Sequence, residues 1–122
     1  MNKGRKITGG KYHSKRKQRL HERKFQERPV VLGETKRKFL RVNGGNIKVV
    51  LIKTKTVNLL VGKKIQKAEI INVEETPQNK FLSRQNRLMK GAIIETNLGK
   101  SRITNRPSQE GHINGVLLES EK

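Results

Sequence analysis

Few side chains in this 122-residue chain could do proton, metal or nucleophile chemistry. There are three histidines, His13, His21 and His112, ten glutamates, and neither aspartate nor cysteine. His21-Glu22 opens like a metalloprotease helix motif, but Phe25 stands where the second histidine would have to be, so the zinc-holding face is missing. No aspartate is present to orient a histidine in a Ser–His–Asp arrangement. Without cysteine there is no disulfide framework and no thiolate zinc site. Gly9-Gly10-Lys11-Tyr12 echoes a phosphate-cradling loop. It lacks the first glycine at the required spacing, the hydroxyl residue after the lysine and a preceding strand. These absences argue against an enzyme, a bound metal, a cofactor or a small-molecule substrate.

The chemistry that remains is cationic. Lys and Arg total 29 against the ten Glu, a formal net charge of +19. Residues 1–41 carry 15 of the cations and 3 of the glutamates, and no acid precedes Glu22. A solvated surface has no need of such density. A polyanion does, because each Lys or Arg that neutralises a phosphate releases condensed counterions. Lys3, Arg5, Lys6, Lys11, Lys15, Arg16, Lys17, Arg19, Arg23 and Lys24 are the expected phosphate clamps. A second basic patch is expected from Lys36, Arg37, Lys38, Arg41 and Lys48, with Gly44 and Gly45 at its turn; Arg102 and Arg106 are weaker candidates. Gly9 and Gly10 read either as a close backbone approach to phosphate or as a plain flexible joint.

The elements that position these cations follow from apolar spacing. Apolar residues make up 31% of the chain and aromatics 3%, too little to fill a core along its whole length. Residues 1–38 read as a basic arm, 39–119 as the folded domain and 120–122 as a tail. Within the arm, residues 14–27 contain good helix formers and a possible Ser14 cap, with Pro29 as the stop. Only Leu20 and Phe25 are apolar there, so the predicted helix forms mainly against a partner.

From Phe39 the texture changes to short β-branched runs at 39–42, 47–52, 69–75, 91–96, 101–105 and 113–119. Asn43-Gly44-Gly45-Asn46, Gly62-Lys63-Lys64, Thr76-Pro77 and Asn97-Leu98-Gly99 punctuate them. The expectation is an all-β fold: a small antiparallel barrel carrying an extended or partly helical basic arm. Its expected core is Val49, Leu51, Ile71, Val73, Leu82, Ile93, Ile103, Val116 and Leu118. No apolar run is long enough for a membrane helix, and none follows the basic start as a secretory signal would require. Tyr12, Phe25, Phe39 and Phe81 form no stacking platform for single strands, and no zinc-finger, basic-zipper or helix-turn-helix pattern occurs. Backbone and shape recognition of folded RNA remains. DNA compaction is the alternative, and a small RNA-acting enzyme a more distant one.

Several motifs, in order, resemble a known family. Lys6-Ile7-Thr8-Gly9-Gly10-Lys11-Tyr12 with the basic run His13 to Arg19, then Lys38-Phe39-Leu40-Arg41-Val42-Asn43-Gly44-Gly45-Asn46-Ile47-Lys48, are similar to the small-subunit ribosomal protein family numbered eight of the eukaryotic and archaeal type. Asn43 stands where that family commonly has a cation. Ala68 to Val73, Lys90 to Thr96, Gly99 to Pro107 and the close Gly111 to Leu118 resemble its short archaeal form. The resemblance implies a β-barrel with a basic extension, bound to small-subunit ribosomal RNA beside other ribosomal proteins in the cytoplasm, without catalysis. It also implies an RNA contact at Thr8, Gly9 and Gly10.

Overall fold

The computed structural model describes residues 4–13, 15–23 and 27–118. In chain order the elements are β1 (Val31–Leu32), β2 (Lys36–Arg41), β3 (Ile47–Thr54), β4 (Thr56–Val61), β5 (Lys64–Glu75), α1 (Lys80–Arg84), β6 (Ile93–Thr96), β7 (Gly99–Ile103) and β8 (Asn114–Leu117). Strands β4 to β8 close into a barrel in sequence order, and β1, β3 and β2 form a separate three-stranded sheet. The all-β expectation holds, with one refinement. The barrel is antiparallel except at its closure, where β4 and β8 run parallel with Asn58 opposite Asn114 and Leu60 opposite Val116. The strand count requires this. Five strands that alternate in direction around a ring must bring the first and last together in the same sense.

Asn43 to Asn46 turn β2 back onto β3 as their composition demands. Gly44 and Gly45 take φ of 71° and 74°, in the left-handed region that glycine enters without steric cost. The ladder then pairs Leu40 with Lys48, Phe39 with Val49 and Lys38 with Val50. Between β5 and β6 the chain makes α1, an element absent from the strand reading. The Asn79 side chain accepts the Phe81 N–H at 2.9 Å and starts it.

One core cluster joins the barrel to the sheet beside it: Val57, Leu59, Ala68, Ile70, Val73, Leu88, Ala92, Ile94, Ile103 and Ile113 are buried together with Leu51 of β3 and Val30 from the end of the arm. Of the expected core, Leu51, Val73 and Ile103 are buried, while Val49, Leu82 and Ile93 are half-buried. Ile71, Val116 and Leu118 are exposed. The error has a specific origin. Ile70-Ile71, Ile93-Ile94 and Val116-Leu117-Leu118 place apolar residues at adjacent positions, and a shift of one residue turns a strand inside out. In β5 a register shift between Ile70 and Asn72 turns both Ile70 and Val73 inward and leaves Ile71 outside.

In the chain alone the arm is extended, the predicted helix being one that forms mainly against a partner. Residues 15–23 are not an α-helix; a single 3₁₀ turn spans Leu20–Glu22. No apolar stripe exists to be buried, and a short isolated helix is marginal in water. Ser14 and Phe25, on which the helix reading leaned, lie outside the described residues. None of the described helices is long and apolar enough to cross a membrane.

Candidate nucleic-acid interface

The Lys6–Gly10 segment is a turn with defined geometry. The Gly9 N–H donates to the Lys6 carbonyl at 2.8 Å and the Lys6 N–H to the Gly10 carbonyl at 2.9 Å, while Arg5 pairs with Lys11 across the stem. This is a three-residue hairpin loop, Ile7-Thr8-Gly9, whose last residue must be left-handed; Gly9 has φ of 81°. Arg5 Nη1 locks the turn by donating to the Gly9 carbonyl at 3.0 Å. Lys6 Nζ sits 5.7 Å from the centre of the Tyr12 ring, within cation–π range. The result is a small knuckle with Arg5, Lys6 and Lys11 at its base and Thr8 and a fully exposed Ile7 at its tip.

Beyond the knuckle, Lys15, Lys17, Arg19 and Arg23 are exposed. Arg16 is committed within the chain. Its Nη1 and Nη2 donate to Glu22 Oε2 and Oε1 at 3.1 and 2.6 Å, and the Arg19 N–H donates to Glu22 Oε2 at 3.0 Å. The Arg16 guanidinium, and after it the Arg19 N–H, hold the Glu22 carboxyl below the usual carboxylate range. Arg16 must exchange this carboxylate for a phosphate if it is to touch RNA. Lys3 and Lys24 lie outside the described residues.

The second patch sits on the β2–β3 hairpin, and its members divide. Arg37 Nε donates to the Gly111 carbonyl at 2.8 Å and Lys48 Nζ to Gln109 Oε1 at 2.5 Å, so both hold the 109–111 loop against the sheet. Lys36, Lys38 and Arg41 are exposed along an edge strand, where cations also discourage pairing with a foreign strand. Gly44 and Gly45 form the exposed hairpin turn. Arg102, on β7, faces outward between Ile93 and Val116. Arg106 lies in the loop before β8, its carbonyl accepting from the Gln109 and Glu110 N–H groups.

Three cations that the sequence did not single out, Arg28, Arg87 and Lys90, border the same cavity as Arg106. Their charge was visible but their convergence was not, because it depends on Val31 pairing with Arg87 across 56 positions. Among the described residues no group of three or more His or Glu side chains could hold a metal ion. His112 faces only Glu110, at 3.7 Å.

The chain is similar to known proteins along almost its whole length. The chain is 42% identical over 117 residues to the small ribosomal subunit protein eS8 of Methanocorpusculum labreanum, which covers 94% of each chain. It is 42% identical over 121 residues to the protein of the same name from Staphylothermus marinus, covering 94% of this chain and 92% of that one. The eS8 of Nanoarchaeum equitans is again 42% identical, over 118 residues, with 94% and 92% covered. The model of the family described as Ribosomal protein S8e matches residues 1–118, and the chain belongs to that family.

Proposed function

We propose that this chain is a structural constituent of the small ribosomal subunit, in the cytoplasm, and holds folded ribosomal RNA through phosphate contacts without catalysing a reaction. One observation carries the reading of how it binds. Among the described residues, every hydrogen bond of residues 4–23 joins partners no more than six positions apart, and one carboxylate, Glu22, accompanies eight cations there. Such a segment contributes nothing to the barrel core and presents charge on a thin strand that can enter between RNA helices. The knuckle supports close approach at Thr8 and Gly9 in its loop and at Gly10 beside it, because the turn holds this exposed backbone in one shape. Lys36, Lys38 and Arg41 extend the contact onto the barrel's neighbouring sheet, Arg106 onto the loop beside the arm, and Arg102 onto the outer face of β7. Residues 1–38 act as the binding arm with its edge strand, and residues 39–119 as the body that neighbouring ribosomal proteins meet.

The alternative, DNA compaction, shares the electrostatics but not the family. Sedimentation of a lysate at physiological salt separates the two. The chain should travel with small subunits and be released by ribonuclease. Travel with the nucleoid, unchanged by ribonuclease, would refute the ribosomal reading.

A further inference from the structure

One row on the barrel's outer face is apolar. The register places Leu60 of β4 opposite Ile65 of β5 on one side and opposite Val116 of β8 on the other. The three side chains line up across three strands and are exposed, Ile65 to 74%. Leu118 adds a fourth exposed apolar side chain two positions beyond Val116. Val116 and Leu118 also line a groove of about 600 Å³ with Pro77 and Gly91. Exposed apolar residues scattered singly are ordinary on a protein surface, whereas a contiguous row that runs into a groove marks an interaction surface. The neighbours of this row are cations. Val116 stands opposite Arg102, Lys67 follows Ile65 on the same face of β5, and the Gly62-Lys63-Lys64 turn closes the row's end. Among the described residues none of Lys63, Lys64, Lys67 and Arg102 forms an ion pair, whereas Lys100, elsewhere on the barrel, is held by Glu74 at 2.8 Å.

We propose that this face docks an acidic amphipathic helix of a neighbouring protein in the small subunit. An added strand does not fit, because the barrel is closed and β4 is already paired on both sides. Contact is therefore made by side chains. Two inter-strand spacings make the row about 10 Å long, and positions i and i+7 of a helix lie ~10.5 Å apart. A stripe at i, i+3 or i+4, and i+7 then meets Val116, Leu60 and Ile65 in turn. Carboxylates flanking the stripe meet the four cations. A second copy of this chain would match the apolar row but not the charge, since each copy carries +19. RNA would match the charge, but its phosphates leave the apolar row uncovered, and the row offers no aromatic ring on which a base could stack. The inference rests on the ribosomal reading and adds to it a face and a kind of partner.

The chain has no cysteine, so Ile65→Cys provides a single thiol that can carry a benzophenone label, and the labelled full chain is assembled into small subunits. Light should join it to another protein in a product that survives ribonuclease. The joined peptide, identified by mass spectrometry, should carry apolar residues at i, i+3 or i+4, and i+7 among carboxylates. Attachment to RNA, to a second copy of this chain, to a peptide without that pattern, or to nothing overturns the proposal. In competition with the unsubstituted chain, Ile65→Ser together with Val116→Thr should reduce entry into the subunit about tenfold, as the loss of two apolar contacts implies. Affinity of the same variant for naked small-subunit ribosomal RNA should not change. Both side chains are exposed on the outer face, so the strands should persist, checked by circular dichroism. An equal loss of affinity for naked RNA would make the face an RNA contact and overturn the proposal. Failure of the unsubstituted chain to bind that RNA or enter small subunits would instead reject the functional reading beneath it.

Discussion

The arm and the barrel use the same kinds of residue for opposite ends, and their glycines show it best. Gly9 in the arm has open space where a Cβ would stand but a φ of 81°, so its requirement is conformational. Gly115 in β8 has ordinary backbone, but a Cβ there would lie 2.9 Å from Leu59 Cδ2 and 3.1 Å from the Arg102 carbonyl oxygen, so its requirement is spatial. The arm is shaped by local hydrogen bonds and charge. The barrel is shaped by packing between residues far apart in sequence, as when β4 meets β8. Damage to one should therefore leave the other intact.

The largest effect belongs to the barrel core. Leu59 is fully buried, and Leu59→Ala should lower stability by about 2–5 kcal/mol in chemical denaturation. The salt dependence of RNA binding by the folded fraction should not change. Gly115→Ala comes next. The crowding atoms include backbone, so relief requires a strand shift, and a loss of about 1–3 kcal/mol is expected by the same measurement. Gly9→Ala should leave the unfolding midpoint untouched. It strains the knuckle by about 1–2 kcal/mol, and that cost should appear in RNA affinity at every salt concentration.

How much of this was legible in the sequence follows the same division. Turn chemistry is local, so Asn43 to Asn46 and Gly62-Lys63 announced their positions, and so did the change of texture between arm and domain. Which face of a strand points inward is decided by partners, and adjacent isoleucines at 70–71 and 93–94 hide it. The parallel closure of the barrel, the pairing of Val31 with Arg87 and the gathering of four cations around one cavity all depend on contacts that no period or spacing encodes. In the arm, propensity points to a helix that needs a partner, whereas the clasp of Glu22 on Arg16 and the Arg19 backbone in the chain alone left no mark in the spacing.

That clasp yields the smallest predicted effect. Because the Glu22 carboxyl titrates below its ordinary value, its contribution to arm order is complete above the ordinary carboxylate range. It is lost as pH falls through the depressed value. The Glu22 side-chain carbon and Arg16 Nε resonances should titrate together in that window. Glu22→Gln should abolish the transition and, by freeing Arg16 for phosphate, steepen the salt dependence of RNA binding by about one counterion.

The division of labour itself is tested most directly by salt. The full chain and a version beginning at Pro29 are titrated onto the same small-subunit ribosomal RNA while circular dichroism follows the strands. If the arm makes about 6–10 phosphate contacts, affinity of the full chain should fall ~10³–10⁵-fold between about 50 and 200 mM salt. The shortened chain should keep its strand signal, bind weakly and respond far less to salt. Equal slopes for the two chains, or loss of the fold when the arm is removed, would contradict the account.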